Sequence, residues 1–286
     1  MTTIFPMTAL TQAVAGDCAA VSQLLPPGAG PHGYRPSPAD LVRLRQARLL
    51  VVNGLGMETF LERLIAAGAQ GRLEVVEASQ GIAPIPAGME PGSAGGHAGH
   101  SHGPDNPHVW LDPRLAIQQV ATIREALVRL DPSCAKGYRA RAAAFSARLA
   151  RLDSRLARDL GPYRGRTLVT QHDVAPYLAR RYGLHTVFLV PEPEVPASPA
   201  DLRRVDAVVR AQRLGGVLVD PGAPAGALTA LARDRGLTLI TLDPLESAAV
   251  AGGQAPEHFL AVMERNGEAL VRALQGAGGG AAASVN

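Results

Sequence analysis

Eight histidines occur in the 286 residues, and four of them fall in one stretch, GHAGHSHGPDNPHVWLDP, from Gly96 to Pro113. Neutral imidazole is a good ligand for borderline divalent ions, zinc foremost. His97, His100 and His102 are set among glycine, alanine and serine, a composition suited to loose chelation without a fixed structure. His108 is placed differently. It follows Pro107 and stands just ahead of Asp112-Pro113, an N-cap with proline at the first helical position. Three further residues are placed in a similar way: His32 in PPGAGPHGYRPSPAD, His172 at the end of TLVTQHD, and Asp243 in LITLDPL. Three imidazoles and one carboxylate form a closed four-ligand sphere. A catalytic zinc normally keeps one position open for water, so a closed sphere favours carriage of the ion over hydrolysis. His185 and His258 lack this placement and are read as structural.

The elements that must position these residues can be read from periodicity. From Ser37 to Ser79 the chain runs helix, the buried-strand run LLVVNG, a second helix over Met57 to Ala67, and the strand LEVVEAS. From Ser198 to Leu245 the same plan recurs, again opening on SPADL: helix, GVLVD, helix, LTLITLD. Two segments with one plan indicate two α/β halves, and strands alternating with helices imply parallel sheets. Ligands in such sheets gather at the carboxyl ends of strands. Asp112-Pro113 opens one helix through about Arg129. Asp131-Pro132 opens a longer one, with Tyr138, Phe145, Leu149, Leu152, Leu156 and Leu160 on one face, ending at Gly161-Pro162. The expected division is an N-terminal lobe over 1–130 carrying a His-rich loop at 88–107, a rigid linking helix over 131–161, and a C-terminal lobe over 162–286. The Gly/Ala-rich tail from Gly276 reads as frayed.

Composition narrows the function classes. Hydrophobic residues make up 47% and charged residues 19%, as in a globular protein, and the formal charge is +3. Lys136 is the only lysine, and arginines interleave with acidic residues, so there is no basic block for a nucleic acid. Two cysteines, Cys18 and Cys134, form no metal motif and read more naturally as free thiols than as a disulfide. The opening MTTIFPMTAL lacks the features of a signal peptide, so either the protein is cytosolic or a signal precedes this numbering. Neither HExxH nor a P-loop occurs, which counts against a zinc hydrolase and against nucleotide chemistry.

Four quoted segments resemble the zinc- and manganese-binding solute receptors of ATP-binding-cassette importers, over nearly the whole chain. VSQLLPPGAGPHGYRPSPADL resembles the segment of that family's first ligand and puts His32 there. NPHVWLDP gives His108, TQHDVAPYLARRYGL gives His172, and LDPL gives Asp243. The resemblance implies two α/β lobes joined by a long rigid helix, with the metal held between them. It also implies a monomeric extracytoplasmic receptor, periplasmic or extracellular and membrane-associated, that hands Zn²⁺ to a permease. Mn²⁺ is the alternative cargo, but histidine at the third position and a His-rich loop both favour zinc. Some relatives of this fold are adhesins. The chain departs from the family pattern at Asp220, where glutamate is usual. Glu192 and Glu194, in PEPEVPASPAD, read as solvated loop charges. His97, His100 and His102 are expected to form an accessory, weaker capture site.

Overall fold

The computed structural model describes residues 1–61, 73–88, 104–222, 226–248 and 254–275. The expected helix over Met57 to Ala67 lies largely outside them, as do His97, His100, His102 and the tail. The chain divides into two units. The first takes in Met1–Pro84, Ser101–Asp153 and Leu245–Val262, and the second Ile85–His100, Ser154–Pro244 and Met263–Asn286. They are not the consecutive segments expected from the sequence, because the chain comes back to the first unit at Leu245. Among the described residues no helix is long and apolar enough to cross a membrane.

The first unit contains α1 (Phe5–Ala15), α2 (Pro38–Arg45), β1 (Leu49–Val52), β2 (Glu74–Glu77), α3 (Pro113–Leu130) and the N-terminal part of α4 (Ala135–Leu160). β1 and β2 run parallel, Leu49 opposite Glu74. Thr2 bridges to both Gln23 and Val51, so the first residues lie in register beside β1. α1 packs on α3 and buries Phe5, Met7, Leu10 and Val14. Its burial on most faces explains why it lacks the amphipathic period that marks a surface helix.

The second unit contains β3 (Thr167–His172), α5 (Pro176–Tyr182), β4 (His185–Val190), α6 (Pro199–Gln212), β5 (Gly216–Val219), α7 (Ala227–Arg235) and β6 (Thr238–Thr241). Its four strands are all parallel in the order β4-β3-β5-β6. Val169, Val187, Val205, Val209 and Val217 fill the core beneath α6. The β-branched side chains suit strands buried on both faces. α8 (Ala255–Leu274) follows, and within this unit a side chain at Gly267 would overlap Leu156 of α4. α4 itself is continuous over 26 residues, about 39 Å at 1.5 Å per residue. Its residues through Asp153 belong to the first unit and those from Ser154 to the second.

The repeated SPADL has the same physical role in each unit. The Ser37 N–H donates to the Asp40 carboxylate at 2.6 Å, and that of Ser198 to Asp201 at 2.9 Å, with proline on the first helical turn each time. Such caps are worth about 1 kcal/mol each. Two residues beyond each SPADL, an arginine grips two carbonyls upstream. Arg43 donates to Gln23 and Leu24 at 3.2 and 2.7 Å, Arg204 to Phe188 and Leu189 at 2.9 and 3.3 Å. Burial would raise the Asp40 carboxyl, but the Ser37 N–H, Arg43 and the hydroxyls of Ser37 and Tyr34 outweigh it and hold it at about 2.

Cys18 and Cys134 form a disulfide, their Cα atoms 6.3 Å apart, which corrects the reading of both as free thiols. The two lie 116 residues apart in sequence, too far for spacing to reveal the pair. Arg141 fixes the end of α1, donating to the carbonyls of Val14 and Ala15 at 2.8 Å each. Gly16 there has φ 51°, and a side chain at that point would run into Arg141. A disulfide fits an oxidising compartment. Replacing both cysteines by serine should lower the unfolding free energy by about 2–5 kcal/mol, read from the urea midpoint. An unchanged midpoint would mean that the crosslink constrains nothing the fold does not already hold.

Candidate metal centre

In the first unit two histidines far apart in sequence meet on one carboxylate. His32 Nε2 lies 3.0 Å from Glu246 Oε2, and His108 Nε2 lies 2.6 Å from Glu246 Oε1. The imidazole side chains are each 2% exposed and the carboxylate 6%. The three ligand atoms lie within 4.8 Å of one another. Zinc, with bonds of about 2.0–2.2 Å to nitrogen and oxygen, fits a group of this size and donor type.

Each group is brought there by its own local device. Asn106 Oδ1 accepts from both the backbone N–H and Nδ1 of His108 at 3.0 Å, which turns Nε2 toward the carboxylate. A hydrogen bond of this kind on the far ring nitrogen fixes the orientation of a ligand histidine. Trp110, fully buried, packs its ring 5.4 Å from that of His108. Downstream of His32, Tyr34 donates to Asp40 at 2.9 Å and sets its ring edge-on to Phe60. The Gly28 N–H donates to the carbonyl of Ser247 at 3.1 Å, which ties the His32 segment to the residue next to Glu246. Burial alone would raise the Glu246 carboxyl. The charge and hydrogen bonds of His32 and His108 outweigh it and hold the group well below the ordinary glutamate range. Both Nε2 atoms face a carboxylate oxygen, so a metal entering here displaces protons from the imidazoles.

The carboxylate on these imidazoles is Glu246, not the Asp243 expected from the sequence. Asp243 belongs to the second unit, where its backbone is clamped by Asn266: the N–H donates to Oδ1 at 3.0 Å and the carbonyl accepts from Nδ2 at 2.7 Å. Two residues later Leu245 adopts φ 66°, a left-handed conformation rare outside glycine. That turn redirects the chain and buries Glu246. Strand-end reasoning favoured the first carboxylate after β6; the available sequence signal was a second one three residues on, behind a buried leucine.

In the second unit His172 ends β3 and is fully buried, with Nδ1 2.8 Å from Asp220 Oδ2. Asp220 follows β5, and the parallel pairing of β3 with β5 brings it to this end of the sheet. The carboxylate that stands where glutamate is usual is therefore hydrogen-bonded to His172. His185 starts β4 exposed, and His258 sets its ring edge-on to Phe5 at 5.6 Å in the first unit.

The family model for the periplasmic component A of zinc-uptake complexes matches residues 1–273. The chain belongs to that family. The zinc-binding lipoprotein AdcA of Streptococcus pneumoniae is 31% identical over 273 residues, covering 94% of this chain and 54% of that protein. The chain thus spans about half the length of this relative. The Zn(II)-bound ZnuA-like domain of the same AdcA superposes with a TM-score of 0.79 at 29% identity, covering 96% of this chain and 97% of that one. FpvC of Pseudomonas aeruginosa in complex with Mn²⁺ gives 0.81 at 28% identity, covering 96% and 97%.

Asp220→Asn keeps the shape of the His172 pair but removes its charge. Zinc affinity, measured by chelator competition, should fall about 10- to 100-fold. Wild-type affinity in this variant would reduce the pair to a structural contact.

Proposed function

We propose that the protein is an extracytoplasmic zinc receptor that captures Zn²⁺ and hands it to the permease of an ATP-binding-cassette importer. The ion is held by His32, His108 and Glu246, with His172 as the third imidazole. The observation that carries this reading is the buried Glu246 carboxylate shared by two imidazoles, in a chain of the zinc-uptake family. Three imidazoles with one carboxylate suit zinc better than manganese, which prefers more oxygen donors. A full set of protein ligands leaves no position for an activated water, so the role is carriage and not hydrolysis. The protein acts as a monomer outside the cytoplasm, and the Cys18–Cys134 disulfide supports that location.

Calorimetric titration tests the ligand set. Wild type should bind one zinc tightly and prefer it to manganese. Glu246→Gln and His108→Ala should each weaken binding at least 100-fold, whereas Asp243→Asn and His102→Ala should change it little. Imidazole titrates near pH 6.5, and ligation needs the neutral ring, so affinity should fall as pH drops from about 7.5 to 5.5. Undiminished affinity in Glu246→Gln would sink the reading, as would ester hydrolysis abolished by a chelator.

We assign His97, His100 and His102 an accessory capture role on their sequence spacing alone. Deleting Gly95 to Gly103 should remove weak zinc equivalents and leave the tight one; unchanged total stoichiometry would refute the assignment.

A further inference from the structure

Beneath His108 the first unit buries a polar network that contains no metal ligand. Glu58 is buried, and its Oε1 accepts from the Thr3 hydroxyl at 2.6 Å and from the Asn53 N–H at 2.7 Å. Its Oε2 accepts from the Gly54 N–H at 3.0 Å. The turn that allows this is unusual: Gly54, Leu55 and Gly56 all have positive φ, at 86°, 55° and 76°. Leucine rarely adopts that region, so the turn must be held by its surroundings. A side chain at Gly54 would also strike Ser79 Oγ at 2.7 Å.

The network is aimed in one direction. With its backbone fixed by Glu58, fully buried Asn53 donates from Nδ2 to the Pro107 carbonyl at 2.9 Å and to the Gly54 carbonyl at 3.0 Å. Gln119 of α3, also fully buried, donates to Asn53 Oδ1 at 2.9 Å, which determines which end of the amide faces Pro107. The Pro107 carbonyl also accepts from the Val109 N–H at 2.8 Å. The peptide just before His108 is thus held from both sides, and proline already restricts its φ. Buried polar groups cost stability unless every partner is in place. A core that needed only stability could use apolar residues here.

We propose that Asn53, oriented by Glu58 and Gln119, is a positioning residue for the metal ligand His108: it fixes the Pro107 peptide so that the imidazole is held ready to bind before the ion arrives. This rests on the zinc-receptor reading of the site. The network lowers the reorganisation needed on binding, so its loss appears in affinity and coordination geometry beyond any loss of stability.

The test compares Asn53→Ala, Gln119→Met and, as a control, Thr8→Val, a buried hydroxyl that bonds to Thr2 and Gln23 and shares no hydrogen bond with Asn53. Each full-length variant is assayed for urea stability, zinc affinity by chelator competition, and the visible spectrum of bound Co²⁺. Asn53→Ala is expected to lose about tenfold or more in zinc affinity with shifted Co²⁺ bands. Gln119→Met should show a smaller loss in the same direction, and Thr8→Val should lose stability alone. Wild-type affinity and an unshifted Co²⁺ spectrum in folded Asn53→Ala overturn the proposal. Should Asn53→Ala fail to fold, Gln119→Met decides by the same two readouts. A wild type that binds neither zinc nor Co²⁺ overturns the receptor reading itself, whereas a tight-binding wild type with indifferent variants overturns only the role of Asn53.

Discussion

One buried carboxylate with two imidazoles on it sets the terms for the rest of the first unit. Taking Glu246 out of water costs several kcal/mol, and the cost is offset only while His32 and His108 both reach it. Neither alone would leave the carboxylate with both oxygens engaged. The unit must therefore bring residues 32, 108 and 246 to one point and keep water from competing there. A divalent cation replacing the imidazole protons would satisfy the same atoms, so the proposed metal-binding geometry would extend the electrostatic balance that already holds the groups together.

Each ligand segment is irregular backbone fastened to regular structure. The His32 segment leaves the carbonyls gripped by Arg43 and ends in the Asp40 cap, with Tyr34 and Gly28 fixed along its course. His108 stands on a peptide clamped by Asn53 and leads into the helix capped by Asp112. Glu246 comes off a left-handed turn at Leu245. Loops carry the ligand groups and the helices and strands hold those loops in place, the usual division in α/β proteins. The second unit repeats the arginine grip and the cap at Arg204 and Asp201, and there the intervening segment carries exposed Glu194 and Glu192, the latter buried and not the solvated charge its sequence suggested.

Much of this was legible in the sequence for local reasons. SPADL states its own cap, Asp112-Pro113 and Asp131-Pro132 state helix starts, LLVV, TLVTQH, TVFLV and GVLV state buried strands, and TLIT states a strand of which only Ile240 is buried. His32, His108 and His172 were singled out because each was read beside a helix start or a strand end. The parts that escaped depend on distant contacts or on backbone conformations without a compositional mark. Cys18 and Cys134 meet across the fold, α1 is buried too completely to show a period, and the interleaved division follows from the chain's return at Leu245. Glu246 escaped because a leucine in the left-handed region leaves no signature, unlike the glycines that usually mark such turns.

The disulfide gives the ligands an order. His32 and His108 both fall within the covalent ring closed by Cys18 and Cys134, whereas Glu246 lies outside it, in a part of the chain made later. As a matter of polymer topology the two imidazoles are tethered to one macrocycle, and no loosening of the rest of the chain can separate them beyond its span. The carboxylate is the latecomer. It completes the set only when residues past β6 have folded back onto a ring that already exists, so the proposed metal centre depends on chain made well after that ring.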